Sequence, residues 1–205
     1  MDKYIESLPL DTEEINISGK NLTVFPDLSK FTCLKNLNCN NNQITQLNNL
    51  PSSLQKLYCW RNQITQLNNL PLFLRKLDCH NNQITQLNNL PSPSSLQELY
   101  CNDNQITQLD NLPSSLQKLY CSDNQISQLD NLPSSLRILH CKNNQITQLD
   151  NLSLSLQELY CHGNPLKYYN LRYWKEVSIN RKLNKKLINT NTNKLFMNKK
   201  IIYNK

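Results

Sequence analysis

Apolar residues fall at fixed places in a frame of 20 residues. In Leu54-x-x-Leu57-x-Cys59, followed by Ile64, Leu67, Leu70 and Pro71, the frame is complete, and it returns from Leu34, Leu74, Leu96, Leu116, Leu136 and Leu156. A period that short dictates stacked units, each resting on its neighbours, so the array is one elongated body. Within a unit the alternation Leu57-Tyr58-Cys59-Trp60 predicts a short strand that sends Leu57 and Cys59 inward and Tyr58 and Trp60 outward. Repeated strands of this kind stack as a parallel sheet. The stretch from Ile64 to Pro71 leaves too few residues for a helix on the far side, and proline fixes φ near the polyproline value, so that side is predicted to be extended. One unit, with Pro91-Ser-Pro93-Ser-Ser95, is two residues longer than the others. The extra length falls on the extended side, and the strand register is expected to survive it. A degenerate first unit reads Ile15-Asn-Ile17, then Leu22, Phe25, Pro26 and Leu28, and serves as the atypical end repeat that stacking requires.

The segment Leu54, Leu57, Cys59, Asn62 and Ile64 reproduces Leu-x-x-Leu-x-Leu-x-x-Asn-x-Leu, with cysteine at the third apolar place. On those residues the chain resembles the leucine-rich repeat family. The resemblance implies a curved right-handed horseshoe solenoid with a parallel β-sheet on its concave face. It also implies that Asn42, Asn62, Asn82, Asn104, Asn124, Asn144 and Asn164 bond to backbone groups of the turn and the next unit, and that recognition uses the concave surface. The family serves many functions, so the resemblance speaks for binding and names no partner.

The domain organisation expected is an N-terminal cap over 1–14, a repeat array over 15–166, a basic cap over 167–188 and a disordered basic tail over 189–205. Charge divides at the same place: residues 1–166 hold 11 Lys and Arg against 14 Asp and Glu, and residues 167–205 hold 11 against one. Leu171, Trp174, Val177, Leu183 and Leu187 recur at near-helical steps amid that basic charge, which predicts a helix able to cover the last repeat. The chain opens without the basic start and apolar core of a secretory leader and carries no long apolar run, which places it inside the cell without a membrane span.

Seven of the eight cysteines share one inward repeat position. That spacing fits neither a disulfide framework nor a metal motif, and a thiol there replaces an aliphatic side chain in the core. No cofactor is expected. His80, His140 and His162 lie two strands or more apart except for diagonal contacts, and make no metal site by themselves.

Copies of Asn-Gln-Ile-Thr-Gln-Leu are nearly identical, so difference between copies is the more informative signal. It concentrates on the outward strand positions. Tyr58, Asp78, Tyr100, Tyr120, His140 and Tyr160 occupy one row, Trp60 and His80 a second, and Arg61 a flanking third. Aromatic residues and arginine are what interface hot spots are made of. Seven strands at about 4.8 Å give a face about 30 Å long, suited to a protein surface or an extended peptide. The function expected is a non-enzymatic, monomeric protein-interaction module using that contact set. Three rivals stand beside it: a nucleic-acid or anionic-surface binder acting through the basic tail, an adaptor recruiting a ubiquitin ligase, and a duplicated scaffold without a dedicated ligand. The second starts from a likeness to bacterial effectors whose short Leu-Pro repeats sometimes precede a ligase domain, for which the 39 residues after Leu166 leave no room.

Overall fold

A computed structural model describes residues 2–90, 95–149, 152, 155–166 and 200–201. The basic segment 167–188 and all of the tail but Lys200 and Ile201 lie outside the described residues. A short helix, α1 (Asp2–Ser7), precedes eight three-residue strands. These are β1 (Glu14–Asn16), β2 (Asn36–Asn38), β3 (Lys56–Tyr58), β4 (Lys76–Asp78), β5 (Glu98–Tyr100), β6 (Lys118–Tyr120), β7 (Ile138–His140) and β8 (Glu158–Tyr160). All pair in parallel, in sequence order, and a two-residue β9 (Lys200–Ile201) pairs beside β8. Between β1 and β8 the described chain contains no helix, so each turn of the solenoid is strand, turn and extended back.

Register follows the repeat. Leu37, Leu57, Leu77, Leu99, Leu119, Leu139 and Leu159 stand opposite one another and are buried. Lys76 pairs with Glu98 across the longer unit just as Lys56 pairs with Lys76, so the two extra residues leave the sheet unchanged. The cysteines form a second buried column beside the leucines, from Cys39 to Cys161, and the isoleucines Ile44 to Ile146 a third. Removal of this apolar surface from water is what holds neighbouring units together. Burial raises the thiol of Cys39 to about 12 and that of Cys161 to about 11. The column is therefore held as thiol, which suits packing and not nucleophilic or ligand chemistry.

Two polar ladders complete the turns. Asn62 donates its amide to the carbonyls of Cys39 and Cys59, each at 3.0 Å, and accepts from the Ile44 amide at 3.0 Å. The arrangement recurs from Asn82 to Asn164. The expected structural role holds, with one correction of direction: each asparagine reaches back to the preceding unit, because the strand carbonyl and the Ile amide both face the following turn. A serine ladder lies at the strand entrances, where Ser53, Ser115, Ser135 and Ser155 donate to the carbonyls of Leu34, Leu96, Leu116 and Leu136.

Candidate functional site

Every predicted contact residue lies on the outward side of the sheet. Tyr58, Asp78, Tyr100, Tyr120, His140 and Tyr160 end strands β3 to β8, all half-buried, since the inward partner of each alternates with it. The structure separates the set into two groups.

The first group gathers at β3 and β4. The Trp60 and His80 rings stack with centroids 5.1 Å apart and planes 10° from parallel. Asp78 Oδ1 lies 2.6 Å from His80 Nδ1 and fixes the imidazole against the indole. The Arg61 guanidinium carbon sits 5.2 Å from the Trp60 ring centroid, in cation–π range. Arg61 is exposed and makes no ion pair among the described residues.

The second group is a continuous aromatic column over β5 to β8. Tyr100 and Tyr120 stack at 4.4 Å, His140 meets the Tyr120 edge at 4.5 Å, and Tyr160 meets His140 at 4.2 Å. Tyr120 and His140 thus have a ring neighbour on each side, and Tyr100 and Tyr160 on one. His140 Nε2 also lies 3.4 Å from Glu158 Oε1, yet burial dominates and lowers the imidazole pKa from its ordinary value. Tyr58 belongs to neither stack. Lys76 bridges it to the column, with its ammonium 5.6 Å from the Tyr58 ring and 4.8 Å from the Tyr100 ring.

Sequence reasoning missed the charged row that braces this face. Glu98 receives Lys118 at 2.7 Å, Lys76 at 3.6 Å and the Tyr100 hydroxyl at 3.3 Å. The lysines, led by the Lys118 hydrogen bond, hold its carboxyl below the ordinary value. The signal was present as Lys56, Lys76, Glu98 and Lys118 at equivalent strand positions, where opposite charges meet across the ladder.

The flanking row carries a second correction. Asn41, Arg61, Asn81, Asp103, Asp123, Asn143 and Gly163 all have positive φ, from 51° to 73°. Left-handed backbone favours glycine, asparagine and aspartate. Variation in this row is thus set by the turn, with Arg61 the departure: it holds φ 51° without either device. Asn40, beside Trp60 in the second row, is buried with its side-chain oxygen unpartnered. Among the described residues, no three His, Cys, Asp or Glu side chains gather as a metal ligand set. Nor is any described helix long and apolar enough to cross a membrane.

A family model described as Leucine Rich repeats (2 copies) matches residues 94–134 and 114–154. Among solved structures, YopM from Yersinia enterocolitica WA-314 is 32% identical, with a TM-score of 0.61 over 78% of this chain and 39% of that one. The functional domain of InlJ from Listeria monocytogenes, described as including a cysteine ladder, is 34% identical, with a TM-score of 0.67 over 78% and 37%. An internalin, InlF, from Listeria monocytogenes is 27% identical, with a TM-score of 0.71 over 77% and 49%. The chain thus spans less than half the length of these structures. No curated protein matches it.

Proposed function

The chain belongs to the leucine-rich repeat family, a fold that generally serves protein–protein interaction, and from that premise we propose a non-enzymatic module that binds a protein or extended peptide on the outward face of its sheet. The observation that carries the reading is Arg61. A bulky residue in left-handed backbone costs about 1 kcal/mol that the asparagine of neighbouring copies avoids, and strain of this kind persists where it serves a site. Here it holds a guanidinium, unpaired among the described residues, against a Trp–His stack. Trp60, Arg61 and His80 form the anchor, with Tyr58 and Asp78 at its margin. Tyr100, Tyr120, His140 and Tyr160 stiffen the adjoining face.

The seven buried thiols, whose close packing oxidation would disrupt, support placing the module in a reducing, intracellular setting. The test is affinity capture from the native cell with the wild-type chain beside a Trp60→Ala/Arg61→Asn variant. A protein held by the wild type and lost from the variant, at unchanged melting temperature, is the expected result. Retention of the same partner by the variant would refute the anchor.

A further inference from the structure

The serine ladder begins after Thr32-Cys33, which hold its place before Leu34, and breaks at one later unit. Where other units carry Ser52-Ser53, Ser94-Ser95, Ser114-Ser115 and Ser134-Ser135, the fourth carries Leu72-Phe73. The exchange removes a hydroxyl that would close the Leu54 carbonyl, as Ser53 closes Leu34 and Ser115 closes Leu96. It also leaves two large apolar side chains in water: Leu72 is 53% exposed and Phe73 64%. In an array of near-copies this position loses a hydrogen bond and gains exposed apolar surface.

Phe73 lines a groove of about 380 Å³ at the strand entrances. The groove runs past Cys33, Ser53 and Ser95, with Lys35 and Arg75 on its sheet side. Lys35 is held by Glu13 at 2.5 Å, whereas Arg75 makes no ion pair among the described residues. Phe73, in the turn closed by the Leu74 amide on the Pro71 carbonyl, and Arg75, just before β4, both line the groove. An exposed apolar ring and a cation unpaired among the described residues thus line the same groove.

We propose that this groove is a second docking site, separate from the outward sheet face, for an extended peptide bearing an apolar residue and a carboxylate two positions apart. The apolar side chain covers Phe73 and Leu72. The carboxylate meets Arg75. Charge selects the acidic sequence: a basic one would place like charge against Arg75.

The probe is a fluorescent octapeptide repeating Ser-Leu-Ser-Asp, titrated by anisotropy against the full chain, beside Ser-Leu-Ser-Lys and Ser-Ser-Ser-Asp controls. Wild type should favour the first by about tenfold over either control. Leu72→Ser/Phe73→Ser restores the repeat consensus, so it should melt no lower than wild type while losing about tenfold in affinity. Arg75→Gln should abolish the preference for Asp over Lys, and Trp60→Ala should change nothing. Equal binding of the Lys peptide, or undiminished binding by the consensus variant, overturns the proposal. Loss of binding in Trp60→Ala overturns it too, by placing the peptide on the sheet face. Sedimentation gives a further check: dimers of wild type that dissolve in the consensus variant would make a second copy the occupant and defeat the peptide assignment.

Discussion

Strands β3–β4 and strands β5–β8 carry the same rows on the same backbone, yet their outward side chains are used in opposite ways. Over β5–β8 the rings close on each other and Glu98 gathers two lysines and a phenol, so little interaction capacity is left for a partner. At β3–β4 the stack stops after two rings, Arg61 carries a left-handed backbone, and the guanidinium has no carboxylate among the described residues. The lesson is that aromatic content alone does not mark a contact surface. On the proposed reading a satisfied stack is cover, and an incomplete one with strain beside it is where a partner has something to complete.

The largest effect should fall beneath both regions equally. Asn62→Ala and Asn104→Ala each strand a buried Ile amide and take one of two asparagine donors from each of two Cys carbonyls, and each should lose about 2 kcal/mol or more in chemical denaturation. A clear inequality between them would mean that the scaffold itself differs between the regions, and the comparison would fail at its base. Next, Tyr120→Ala removes ring contacts on both sides and should lose about 2 kcal/mol with partner affinity nearly kept. Trp60→Ala should do the reverse. If both behave alike, the division of the face into cover and anchor is wrong.

Arg61→Asn offers a sharper probe. Relief of the backbone should raise stability by about 1 kcal/mol while partner binding falls, a trade seen where a site is kept against the preference of its backbone. A variant that is neither more stable nor weaker in binding would leave Arg61 an ordinary turn residue.

The smallest effect is in the pH response of the column. Burial lowers the His140 pKa below its ordinary 6.5, so the unfolded chain takes up a proton that the folded chain resists. The stability concerned is full above the ordinary value and is lost as pH falls below it toward the lowered one. His140→Gln should therefore show a smaller drop in melting temperature than wild type between about pH 7.5 and about pH 5. An equal drop would remove His140 as its source.

Much of this was legible in the chain. The 20-residue frame dictated parallel stacking, period-two alternation placed Leu57 and Cys59 inside and Tyr58 and Trp60 outside, and the long unit kept its register because its extra residues fall outside the strands. Less legible was which outward side chains meet: alternation assigns a face and not a ring plane. Tyr58 and Tyr100 share a row, but Asp78 stands between them in the register, and only Lys76 links the rings. The turn constraint on the row of Arg61 was written in its Asn, Asp and Gly content. It was mistaken for surface variation because left-handed backbone and solvent exposure favour overlapping residue types.

The backward reach of the asparagine ladder gives the molecule an arrow in time. The side chain that closes the Ile44 amide lies 18 residues downstream, so a unit leaving the ribosome stays unfinished until its successor has been made. A chain halted anywhere in the array would end on an open buried amide. At the last unit the Leu166 amide turns instead to the carbonyl of Asn164 in its own unit at 2.8 Å. That one amide closes without a successor, while strand β8 still takes its partner β9 from later sequence.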